Sequence, residues 1–170
     1  MRPNPADHYQ KLCNKDSSRQ EIVHSLQQQA SQWATEKREK KVIECLDYAM
    51  QTLETATCDT EKPILAKLYH QVGHLWRQLG NNKLTGIYYK KALALYQNIY
   101  AKKAHYDVAA AHFVLASFLD QLWKKKPAQF HYELALSLMT QLTGNYEKEI
   151  AIITQKITDI KTKKPTSTSL

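Results

Sequence analysis

The sequence predicts an all-α fold of stacked helical hairpins, and three observations predict it. The stretch from Leu65 to Tyr100, moved forward by 43 positions, falls on residues 108–143 with its large and small residues in register. Val72 lands on Leu115, Gly73 on Ala116, Trp76 on Leu119, Leu79 on Leu122, Tyr89 on Tyr132, Ala92 on Ala135 and Leu93 on Leu136. Moved back by the same step, Ala30, Trp33, Ala49 and Met50 fall under Gly73, Trp76, Ala92 and Leu93, so three copies are visible. A period of this length marks repeat arrays in which no unit buries its own apolar face and stacked neighbours do. Finally, 4 Gly and 5 Pro are too few for the frequent turns of an all-β chain.

Each element follows from local signals. Residues 1–16 are polar with Pro3 and Pro5 near the start, and are expected to be a flexible arm with at most a short helix around Asp7–Leu12. Ser18 and Glu21 form a capping-box pair, in which hydroxyl and carboxylate satisfy backbone N–H groups at a helix start. Seven helices are then expected at about 18–36, 38–56, 61–79, 82–101, 104–123, 126–142 and 145–163, with boundaries good to about three residues. The breakers between them include Asp59-Thr60 before Pro63, Gly80-Asn81-Asn82 and Thr143-Gly144-Asn145. Small residues at Ala30, Gly73 and Ala116, and again at Ala49, Ala92 and Ala135, let paired helices approach closely. The last helix carries Ile150, Ile153, Ile157 and Ile160 on one stripe, which suits a terminal cap. The repeat domain is thus expected over 17–163, followed by a disordered tail over 164–170 of Lys, Pro, Ser and Thr.

Lys and Arg number 24 against 16 Asp and Glu, a formal charge of +8 that favours acidic partners, nucleic acid or anionic lipid without choosing among them. Cys13, Cys45 and Cys58 have no paired spacing, so neither a disulfide framework nor a zinc site is suggested and a reducing cytoplasm is expected. The N-terminus lacks the apolar stretch of a secretory signal, and no run of eighteen apolar residues occurs. No Gly-rich phosphate loop, Ser/His/Asp set or paired catalytic carboxylates are present in order, so the chain is read as non-enzymatic, with no cofactor, metal or small-molecule substrate.

The repeat resembles the tetratricopeptide repeat. Its first-helix and second-helix signature residues are matched by Tyr69, Val72, Gly73, Trp76, Thr85, Tyr89 and Ala92 in the second copy. In the third copy they are His112, Leu115, Ala116, Leu119, Ala128, Tyr132 and Ala135, and in the first Leu26, Gln29, Ala30, Trp33, Leu46 and Ala49. The match spans residues 20–142. The usual repeat is about 34 residues, so this longer one is similar to those of kinesin light chains and of repeat arrays attached to signalling ATPases. The proline that often closes a repeat is missing after Ala92 and Ala135. The resemblance implies a right-handed α-solenoid of about three hairpins plus a C-terminal capping helix, working as a protein-interaction adaptor or scaffold.

In such solenoids the first helices line the concave face, so their non-packing residues are the candidate contacts for a protein or peptide partner. These are His24, Gln27 and Ser31, then Lys67, His70, His74 and Arg77, then Phe113, Ser117 and Gln121, a polar and mildly basic set. The members of the family that clamp terminal carboxylates need Lys and Asn at places where this chain has Gln27, Ser31, His74, Phe113 and Ser117, so that clamp is absent. The turns inside the hairpins carry Lys37, Arg38, Lys40 and Lys41, then Lys83, then Lys124, Lys125 and Lys126, an expected basic edge for an acidic protein, nucleic acid or an anionic membrane surface. A small repeat chaperone for secreted substrates is the other alternative. His70 and His74 in HQVGH share the spacing of a zinc-protease helix, but Gln71 replaces its glutamate. The terminal Thr168-Ser169-Leu170 has the form of a PDZ ligand.

Overall fold

A computed structural model describes residues 3–15, 17–54, 60–101 and 103–162. The expected tail at 164–170, its Thr168-Ser169-Leu170 end, and Cys58 lie outside the described residues. The chain is all-α: α1 Pro5–Cys13, α2 Arg19–Thr35, α3 Glu39–Glu54, α4 Lys62–Gln78, α5 Asn82–Tyr100, α6 Tyr106–Gln121, α7 Lys125–Met139 and α8 Glu147–Thr162, with no strand among the described residues. From α2 onward every helix end falls within about three residues of the position expected from the repeat. No helix among the described residues is long and apolar enough to cross a membrane. The helices group into two compact units, Met1–Leu95 and Tyr96–Leu170.

In the first unit the capping box forms as the spacing demands: the Ser18 hydroxyl accepts from the Glu21 N–H, and the Glu21 carboxylate accepts from the Ser18 N–H at 2.8 Å. Helix α2 then buries Ile22, Val23, Leu26, Ala30 and Trp33 against Val42, Leu46, Ala49 and Met50 of α3, the period of an amphipathic pair. Helices α4 and α5 meet where Gly73 lies under the Tyr89 ring, and a Cβ built on Gly73 would stand 2.7 Å from that ring. In the second unit, Ala109, Ala116, Ala128 and Ala135 surround the wholly buried Tyr132, and α8 closes the cluster with Ile153, Ile157 and Ile160. Both the alanine positions and the isoleucine stripe were legible as packing residues, and Tyr132 between them is buried to its tip.

The N-terminal arm is a correction. Residues 1–16 were expected to be a flexible arm with at most a short helix around Asp7–Leu12; a helix does form there, Pro5–Cys13, but it is docked on α2 and α3. The buried Gln29 carboxamide donates to the Pro3 carbonyl at 2.9 Å and accepts from the Cys45 thiol at 3.4 Å. His8 bonds Ser25 at 2.9 Å, Lys41 donates to Asn4 at 2.7 Å, and Tyr9 stacks on Tyr48 with centroids 4.7 Å apart. Satisfying a buried amide is worth more than the propensity of a short isolated helix, which alone would not persist.

The hairpin turns repeat in detail. Lys37, Gly80 and Trp123 all adopt left-handed backbone, with φ of 54°, 75° and 59°. The N–H groups of Arg38, Asn81 and Lys124 bond back to the carbonyls of Trp33, Trp76 and Leu119, while those of Lys37, Gly80 and Trp123 bond to Ala34, Arg77 and Asp120. This double closure is the Schellman cap, which favours glycine at the left-handed residue. Only the middle hairpin has one. Lys37→Gly and Trp123→Gly should each raise stability by about 0.5–1 kcal/mol, because both side chains are exposed and the strain of a left-handed non-glycine residue is relieved. Urea midpoints of the two variants check this; an unchanged or lower midpoint would count against the strain.

Candidate functional site

Each unit has a cavity between its helices. That of the first unit has a volume of 290 Å³. Its base is Ala30 of α2 with Val42 and Leu46 of α3, all buried, and its walls add Ala34 and Leu75. Gln27 and Ser31 of α2 face Gln71, His74 and Gln78 of α4 across the opening. No Lys, Arg, Asp or Glu lines it. The cleft exists partly because the first copy has Leu46 where the later copies have Tyr89 and Tyr132, and the shorter side chain leaves space. Chemically it offers an apolar base and a rim of carboxamides, which both donate and accept and so suit the alternating N–H and C=O groups of a peptide backbone.

Three of the seven groove residues expected in this unit, Gln27, Ser31 and His74, line the cleft. His70 does not: it is half-buried with its ring edge-on to Tyr89 at 5.6 Å, and burial, then neighbouring His74, lowers its pKa. Arg77 bonds the Tyr89 hydroxyl and Lys67 stays exposed, so neither brings charge to the cleft. His24 is exposed and bonds Gln28 at 2.9 Å. Gln71, Leu75 and Gln78 were not expected there. They form an i, i+4, i+7 stripe one position round the helix from Lys67, His70, His74 and Arg77.

The second unit's cavity, 160 Å³, is framed by Tyr106, Ala110 and Phe113 of α6, Met139 of α7, and Glu149, Ile152 and Ile153 of α8. Of the expected residues only Phe113 lines it; Ser117 is half-buried and Gln121 exposed at the end of α6. Nearby, the buried His112 ring meets His131 of α7, Nδ1 to Nδ1 at 3.0 Å, and its Nε2 lies 3.3 Å from the Gln97 amide. Burial and then His131 lower the His112 pKa from 6.5 to about 4.

The expected basic residues are partly engaged within their own units. Arg38 lies over the Trp33 ring at 5.8 Å and 3.8 Å from Glu36. Lys41 bonds Glu44 at 2.9 Å as well as Asn4, and Lys125 is held by Asp120 over Trp123. Lys37, Lys40, Lys83, Lys124 and Lys126 are exposed. Among the described residues no group of three or more His, Cys, Asp or Glu is placed to hold a metal ion.

No protein-family model and no curated protein matches the sequence. The helical arrangement is similar to the crystal structure of BtubC (BKLC) from P. vanneervenii, with a TM-score of 0.74 and 16% identity over 85% of this chain. This chain spans 57% of the length of that one. At such identity the likeness concerns the fold alone.

Proposed function

We propose that this chain is a non-enzymatic protein-interaction module of tetratricopeptide type that holds a peptide segment of a partner in the cleft between α2 and α4. The observation that carries the reading is that cleft: 290 Å³ with an apolar base and facing carboxamides from two helices. Such a site pairs a peptide backbone through Gln27, Gln71 and Gln78 while one apolar side chain enters over Val42 and Leu46. With no Lys, Arg, Asp or Glu on the lining, the segment it suits there is uncharged. The resemblance of the repeat and the likeness of the fold support the same reading, and a cytoplasmic setting belongs to it.

A photo-crosslinking amino acid placed at Ser31 or Gln78 should capture a partner in cells, while the same group at the exposed Gln155 of α8 should not. Ala34→Trp, at an exposed wall position, should fill the cleft and weaken that partner about tenfold with little change in melting temperature. Equal capture from all three positions would refute the assignment.

A further inference from the structure

We propose that the cavity between α6 and α8 is a second docking site, a pocket that receives a single arginine side chain of a partner protein. It rests on the interaction-module reading but not on the α2/α4 cleft. The pocket is apolar at its base, where Phe113, Met139 and Ile153 meet, and Tyr106 and Ile152 stand 42% and 52% exposed at its mouth. The only ionisable carboxylate on its lining is Glu149. Among the described residues no side-chain hydrogen bond or ion pair reaches the Glu149 carboxylate. Tyr106 is braced from behind by Tyr146, ring centroids 5.6 Å apart and 29° from parallel.

The lining selects among occupants. A purely apolar side chain would strip water from the Glu149 carboxylate and return nothing. An acidic one would be repelled by it. Arginine satisfies both parts: its methylenes lie along Phe113 and Ile152, its guanidinium plane stacks on Tyr106, and its fork pairs with the carboxylate. Lysine would fill the same length but lacks the planar face and the two-pronged match. The volume, 160 Å³, admits one such side chain. The net charge of +8 acts against a polybasic segment, so the fitting partner presents one arginine within a neutral or acidic stretch.

The test selects displayed random dodecapeptides on the full chain and measures the enriched peptides by calorimetry. Enriched sequences should share an arginine flanked by neutral or acidic residues. Their affinity should fall about tenfold or more on Glu149→Gln, on Ile152→Ser, and on replacing the peptide arginine by lysine or norleucine, yet survive Ala34→Trp. Selection without arginine, no enrichment at all, or equal affinity for Glu149→Gln would overturn the proposal. Loss on Ala34→Trp alone would also overturn it while leaving the α2/α4 cleft standing. Self-association in sedimentation that Glu149→Gln abolishes would overturn it by assigning the pocket to a second copy.

Discussion

Gly73→Leu is expected to abolish the cooperative unfolding transition of the first unit at denaturant concentrations where the parent remains folded. A Cβ at this position stands 2.7 and 2.8 Å from two atoms of the Tyr89 ring and 3.3 Å from the Tyr88 Cβ. Tyr89 is 2% exposed and its ring is rigid, so relief requires moving α5 as a whole. Overpacking of this kind costs about 1–3 kcal/mol per site and more when the intruding group is large, so leucine is expected to cost about 3 kcal/mol or more. Alanine should cost less, because its higher helix propensity returns about 1 kcal/mol. The equivalent pair in the second unit, Ala116 with Tyr132, shows that a methyl is accommodated when the tyrosine is set for it. Urea titrations followed by circular dichroism give the numbers. Adding Tyr89→Ala to Gly73→Leu should recover part of the loss, since the two changes share one contact. A Gly73→Leu protein melting like the parent would remove the close approach as a determinant of the fold.

Acidification should loosen the second unit through His112. Its folded pKa is lowered to about 4 from 6.5, so between those values the unfolded chain binds more protons than the folded one. The stability tied to neutral His112 is therefore complete above pH 6.5 and is lost as pH falls toward 4, at most about 3 kcal/mol for a shift of this size. His131 and the Gln97 amide face it, and neither supplies a negative charge that would hold an imidazolium. The first unit has shifts of both signs. Burial lowers His8 and His70, in the same sense as His112. Asp47 is raised to about 6 by burial and by Glu54 and Glu44, so it favours the folded state as pH falls through that value. Hydrogen exchange at about pH 7 and 4.5, corrected for intrinsic rates, should show α6 and α7 amides losing protection at the lower pH, and His112→Gln should flatten the response. Retention of the full response in that variant would place the acid sensitivity elsewhere.

How far the fold was legible depended on whether an element had a copy. The hairpins α2/α3, α4/α5 and α6/α7 were visible because small and large residues recur at a step of 43: Ala30, Gly73 and Ala116, then Trp33, Trp76 and Leu119. Helix α1 has no copy, and what holds it includes a side chain reaching a backbone carbonyl, Gln29 to Pro3, which no hydrophobic pattern records. Gln29 was noticed at a packing place; its role as a bridge was not. The left-handed corners at Lys37 and Trp123 were equally silent, since only Gly80 announces that backbone by composition.

The candidate site was half legible for a related reason. Periodicity tells which helix faces the partner side, but the phase of the exposed stripe is weakly constrained once Val72, Gly73 and Trp76 have taken the packing faces. On α4 the expected stripe ran one position off, catching His74 and missing Gln71 and Gln78. On α6 the phase was right but the stripe was placed too far along, toward Ser117 and Gln121 where the cavity uses Tyr106 and Ala110. Glu149 was not singled out in the sequence, and its neighbours across the cavity become apparent only in three dimensions.

The docked first helix bears on anyone trimming this protein. Ser18, where the repeat pattern begins, is the natural place to cut, yet a fragment starting there would bare the Gln29 carboxamide and take Tyr9 off Tyr48. It would also uncover Cys45, whose thiol burial now pushes up to about 12, turning an inert sulfur into one that air and alkylating reagents can reach.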